Sequence, residues 1–446
     1  MIIPSDSRDL PDAWYNIVPD LDFDMPPLMS TSGYPLGKHE LEPLSPSPMI
    51  AQEFEKEKRD IAIPREVLQI YSNWRPTPLF RAEKLEKALK TPAQIFYKYE
   101  GGGSSVSHEA NTAVAQAYYA SSEETKRLIT ATGHGEWGAS LAIACNHFDM
   151  QCRVYMVRSS YEREGYGRYL MEILGAAVSP SPSEKTRAGK KALSEDPKSP
   201  GNLSIALSEA FENAYSDYEA RFCWGTVMNH VVQHQTIIGL EAGEQMRRAK
   251  ASPDILIAAV GGGSAFGGLV FPFYRERREK TRMIAVETAA SPSLSKGRYT
   301  YDYADSSGLS IMLKMYTLGH GFIQPAIRAG GMRYHGISPI ISALHRKKEI
   351  EVKAYTEQQA FEAALVFTRA EGMIPSLESA YAVKAVLDEA LACKERKERK
   401  NILFVLDANS YRDLDSFKDF LGGGIKDHPF REEDVQAALK QMPQIE

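Results

Sequence analysis

The rhythm of apolar and polar positions changes along this 446-residue chain. Over the first seventy residues, Pro, Asp and Ser break up any period, which predicts an extended arm wrapped on the body of the protein. From Ile95 onward, short β-branched runs alternate with helix-length amphipathic stretches. Ile95–Lys98, Arg127–Thr130, Arg153–Val157, Ile255–Val260, Met283–Val286 and Ile402–Leu406 predict buried parallel strands, because a strand covered on both faces reads as continuous apolar sequence. His108–Ser121, Trp137–His147 and Tyr161–Leu174 predict helices between them. Lys185–Asn202 is polar and carries Pro197 and Pro200, so it reads as a helix that breaks into a loop. Such alternation predicts an α/β fold of two αβα domains with parallel sheets.

Length supports two domains rather than one core. The boundaries expected are an arm over 1–75, an αβα region over 76–240 interleaved with its neighbour, and a C-terminal αβα domain over 241–446. A net charge of -5 gives no reason to expect nucleic acid or an anionic membrane as partner, and leaves a small molecule. The basic run 394–400 alternates with acids and reads as a solvated helix end. Cysteines 145, 152, 223 and 393 lack paired spacing, which predicts buried, reduced thiols and a cytoplasmic protein. No stretch approaches the roughly 20 apolar residues of a membrane span, no secretory signal opens the chain, and no metal site is expected.

Candidate chemistry starts at Gly261-Gly262-Gly263-Ser264, which follows the strand Ile255–Val260 and opens a helix. Glycines there let the backbone approach an anion, while a helix N-terminus offers free N–H groups and the positive end of its dipole. Ser107-His108 caps the helix running through Asn111, so His108 and Asn111 join the expected phosphate cradle.

Further motifs identify a resemblance. Arg75-Pro76-Thr77-Pro78-Leu79, the run from Ser107 through Ala113, Thr132-Gly133-His134-Gly135-Glu136-Trp137-Gly138 and Gly261–Ser264 occur in the order found in tryptophan synthase β subunits. The second, tryptophan synthase β-like branch also shares 10–16, 313–320 and 331–336. The resemblance covers nearly the whole chain. It implies fold type II of the pyridoxal phosphate enzymes, a site between two domains, and a homodimer. It also implies that Tyr99, Thr132, Gly133, Glu371 and Asp407 line the substrate pocket.

The match fails at the reacting groups. Where the resembled family places the lysine that bonds to pyridoxal phosphate, this chain has Glu109, and a carboxylate cannot condense with an aldehyde. The family's acid/base glutamate is Ala131. Its carboxylate-receiving loop becomes Gly133-His134-Gly135-Glu136, which predicts like-charge repulsion of a substrate carboxylate by Glu136. The family's final Ser-Gly pair becomes Asp407-Ala408, and 101–106 holds three consecutive glycines, predicting a looser wall.

These departures lead to the expectation of a cofactor-independent enzyme. Glu109, His134 and Glu136 would catalyse a non-redox cyclisation or isomerisation of an apolar natural product, with no pyridoxal phosphate required. Two alternatives stand beside it. One is a β-replacement or lyase enzyme that holds pyridoxal phosphate noncovalently, or phosphate alone. The other is a noncatalytic binding protein.

Overall fold

The computed structural model describes residues 1–446 except 103–106, 164–165, 278–280, 444 and 446, and the side chains of 276–277. The part of the expected loose wall at 103–106 therefore lies outside the described residues.

Two parallel sheets organise the chain. The larger orders its strands as Ile2–Ile3, Leu79–Arg81, Gln94–Tyr99, Asn401–Leu406, Ile255–Ala259, Arg282–Thr288 and Glu351–Tyr355. Its last five strands are mutually parallel, and the first two add antiparallel at one edge. All five residues of Ile255–Ala259 are buried, as continuous apolar sequence requires of a central strand. The smaller sheet orders Ala177–Ser181, Gln151–Val157, Arg127–Thr132 and Ala220–Phe222, all parallel. An antiparallel hairpin, Arg298–Tyr303 with Met312–Thr317, stands apart from both.

Each predicted strand is present, five of them extended by one to three residues and Ile255–Val260 shortened by one to Ile255–Ala259. The helix expected over 161–174 instead divides into Arg158–Glu162 and Tyr166–Ile173. The N-terminal arm is anchored by Trp14, which is fully buried in the largest core cluster, and by a short ladder between Ala13–Tyr15 and Asp60–Ala62. All four cysteines are free and buried. Among the described residues no helix is long and apolar enough to cross a membrane.

Buried charge ties the arm to the larger sheet. Lys98 Nζ donates to Thr77 O (2.6 Å), Glu241 Oε2 (2.7 Å) and Gln245 Oε1 (2.9 Å), and Arg75 bridges Glu100 and Glu241. None of these side chains reaches water, so each charge depends on its partners.

The strands deliver the site. Parallel strands in an α/β sheet end at a common edge, and ligand crevices open at their carboxyl ends. Thr132, Gly261 and Asp407 each lie at or just beyond such an end, on three different strands.

Candidate active site

The crevice, open to solvent on one side, spans about 920 Å³ of space between the two sheets. Of the residues singled out in the sequence, His108, Glu109, Thr132, Gly133, His134, Glu136, Gly261, Gly262, Gly263, Ser264 and Asp407 all line it. Three others lie elsewhere. Asn111 is buried behind the wall, where Oδ1 accepts from Arg75 Nε (3.0 Å) and Nδ2 donates to Gln235 Oε1 (2.9 Å). Glu371 ends a helix and accepts from the Leu85 backbone N–H at 2.8 Å. Tyr99 packs against the core cluster of the larger sheet, because strand alternation sends it to the face opposite Lys98.

At one end of the crevice is a glycine cradle. A Cβ on Gly262 would lie 2.1 Å from Thr226 Oγ1, and one on Gly261 1.9 Å from the Gly331 carbonyl. Gly263 has φ +110°, a left-handed conformation that favours glycine. The helix Ser264–Arg277 begins there, and the N–H groups of a first helical turn have no partner within the helix. Thr226 Oγ1 and Ser338 Oγ are buried beside the cradle with no hydrogen-bond partner among the described residues. His108 Nδ1 lies 3.2 Å from the Asp407 carbonyl, which can only accept, so that nitrogen carries the proton. Its Nε2 meets Ser264 Oγ at 3.1 Å. Hydroxyls, a glycine backbone and a helix start are groups of the kind that can hold a phosphate.

Asp407 stands on the floor between cradle and far wall. Its Oδ1 accepts from the hydroxyls of Ser376 (2.6 Å) and Ser379 (2.5 Å), which fix its orientation.

The far wall is rich in titratable groups. Burial pushes the Glu109 carboxyl up to about 7, against the opposing pull of His108 and Arg412. Its backbone N–H donates to Ser107 Oγ at 3.2 Å. Burial, reinforced by the nearby Arg412, Arg163, Arg333 and Arg328, pushes His134 down to about 3, so the imidazole is neutral. Burial also raises the carboxyls of Glu378 and Asp413.

Glu136 differs from expectation. It opens the helix Glu136–His147, whose dipole favours an anion there, and it contacts the guanidinium of Arg412. Its charge is therefore countered, and the repulsion predicted from sequence is relieved by a residue that sequence reasoning missed. Arg412, Thr226 and Ser338 come from distant loops and carried no motif. Among the described residues no lysine lines the crevice.

Comparison with known proteins decides the family. The family model described as pyridoxal-phosphate dependent enzyme matches residues 70–407. The chain belongs to that family. Among its relatives, tryptophan synthase beta chain 2 of Aquifex aeolicus is 49% identical over 426 residues, covering 94% of this chain and 98% of that protein. The protein of the same name from Methanosarcina acetivorans is 46% identical over 424 residues, with 94% and 96% covered. That from Pyrococcus furiosus is 45% identical over 447 residues, with 99% and 100% covered. The processed form of threonine deaminase isoform 2 from Solanum lycopersicum superposes with a TM-score of 0.58 at 18% identity, over 80% of this chain and 92% of that one, which shows a shared fold.

These findings correct two expectations from the sequence. The cofactor-independent cyclase of secondary metabolism, and with it the absence of pyridoxal phosphate, are overturned by membership in a pyridoxal-phosphate dependent family with full-length tryptophan synthase β relatives. The exclusion of tryptophan synthase activity likewise has no support. Glu109 is one position, and Gly261, Gly262, Gly263, Ser264 and His108 line the same crevice beside it.

Proposed function

We propose that the protein is a pyridoxal-phosphate-dependent enzyme of tryptophan synthase β type, acting on an amino acid by β-replacement or β-elimination, with its cofactor held noncovalently. The observation that carries this reading is the cradle, in which Thr226 Oγ1 and Ser338 Oγ lie buried and unpaired beside three glycines that admit no side chain. Buried hydroxyls without partners cost about 1–3 kcal/mol each, and a phosphate would satisfy them. The residues present fit the cofactor at its phosphate, through Gly261, Gly262, Gly263, Ser264 and His108, and at a ring nitrogen, through Asp407. They do not fit a covalent link, since Glu109 carries no amine.

When bound, pyridoxal phosphate supplies an electron sink for charge developing at the amino acid's α-carbon. The chain's own groups do the rest. Glu109, with its carboxyl near half-protonated at neutral pH, takes and returns a proton at the α-carbon or the leaving oxygen. His134 stays neutral and acts as a hydrogen-bonding wall rather than a cation. Trp137, Leu203, Leu207 and Trp224 line the apolar side and exclude water.

The test is a titration of the purified protein with pyridoxal phosphate, followed by circular dichroism of the bound chromophore. The expected result is saturable binding with no gain of protein mass after borohydride reduction. Glu109→Lys is expected to gain the mass of one reduced cofactor. Absence of an induced signal, or a mass gain in the wild type, overturns the reading.

A further inference from the structure

Beside the crevice, in contact with its wall residue Glu136, lies a buried cation that the cradle and floor leave without a role. Arg412 lies in the short turn Tyr411–Asp413, beyond the central strand Asn401–Leu406, and its side chain is 7% exposed. Around it stand Glu109, His134, Glu136 and Glu378, all on the crevice wall, with Asp413 behind them. Its contacts are poorly matched to its chemistry. The guanidinium touches Glu136 through Nη2 alone, and lies 3.6 Å from Asp413 Oδ1 and 3.9 Å from Glu378 Oε2. None of its Nε, Nη1 or Nη2 donors makes an aligned hydrogen bond among the described residues, and Glu378 Oε2 has no hydrogen-bond partner among them.

A planar guanidinium fork is satisfied best by both oxygens of one carboxylate. Glu136 meets the fork through one nitrogen only. Burial raises the carboxyls of Glu378 and Asp413, which weakens them as competing anions. The surroundings thus suit a carboxylate that arrives from the crevice, turns Glu136 aside and fills the fork.

We propose that Arg412 receives the carboxylate of the amino-acid substrate, and that Glu136 is its internal stand-in, displaced on binding. This rests on the reading above that the substrate is an amino acid. It makes Arg412 a specificity-determining residue: substrates lacking the carboxylate are rejected because they leave the Arg412–Glu136 contact undisturbed and the fork unfilled.

The test uses protein loaded with pyridoxal phosphate, and two probes that differ at one group, L-serine and L-serinamide. Calorimetry gives the affinity of each for wild type, Arg412→Gln, Arg412→Lys and Glu136→Gln, and a pyridoxal phosphate titration is run on each variant. Wild type is expected to prefer L-serine by about tenfold or more. Arg412→Gln is expected to abolish the preference, Arg412→Lys to retain part of it, and Glu136→Gln to tighten L-serine binding by removing the competitor. Should Arg412→Gln fail to fold, Arg412→Lys and Glu136→Gln carry the same comparison. If every variant binds the cofactor but the preference survives at Arg412→Gln or Arg412→Lys unchanged, or Glu136→Gln weakens L-serine binding, the inference fails alone. If wild type binds no cofactor, the functional reading fails and this inference falls with it.

Discussion

Glu109→Gln isolates the electrostatic cost of the carboxyl at the heart of the crevice. Burial raises it from 4.5 to about 7. At about 1.4 kcal/mol per pH unit, that difference corresponds to about 3 kcal/mol. The side chain borders the crevice and retains some contact with water, which reduces the expectation to about 2 kcal/mol. The direction follows from proton counts. Between pH 4.5 and about 7 the folded protein keeps a proton that the unfolded chain has released. This contribution to stability is therefore full below 4.5, declines as pH rises through the window, and is lost above about 7. Glutamine binds no proton, so its stability relative to wild type climbs through the same window and levels off about 2 kcal/mol higher near pH 8. Urea denaturation of both proteins at about pH 4.5, 6 and 8 reads the gap directly. A gap constant across that range would refute the reasoning, because it would mean that Glu109 ionises alike in the folded and unfolded chain.

Two further outcomes are expected. Gly262→Ala places a methyl 2.1 Å from Thr226 Oγ1 and should weaken binding of inorganic phosphate and of pyridoxal phosphate by about tenfold or more, measured by calorimetry. Lys98→Met removes one cation from the fully buried cluster with Glu241 and should destabilise the fold by about 3 kcal/mol, seen as a lower urea midpoint.

Much of the architecture was legible in the sequence because parallel strands announce themselves as unbroken β-branched runs, and because a glycine triplet after such a strand has few uses other than a close approach. The resemblance placed His108, Glu109, Gly133 and Glu136 on the crevice because local spacing fixes their faces. It failed to locate Asn111 and Glu371 there. Asn111 is drawn into the polar network under the arm by Arg75, and Glu371 caps the backbone of Leu85, pairings across 36 and 286 residues that no local pattern encodes. Arg412 was invisible for the same reason: its significance lies in Glu136, which is distant in sequence and adjacent only in space. Glu109 misled because the lack of an amine at one position was equated with the lack of a cofactor, whereas Gly261–Ser264 and His108, on the same crevice, do not depend on it.

The middle of the larger sheet is the strand Asn401–Leu406, hydrogen-bonded to Gln94–Tyr99 on one side and to Ile255–Ala259 on the other. During synthesis the two flanking strands exist long before the strand that joins them. At roughly 5–20 residues per second, the ribosome takes roughly 20–80 s to deliver it. Until then two long apolar edges wait without partners, and unpaired edges are where nascent chains adhere to one another. A chain cut short just before Asn401 would therefore lose the centre of its sheet rather than a dispensable tail.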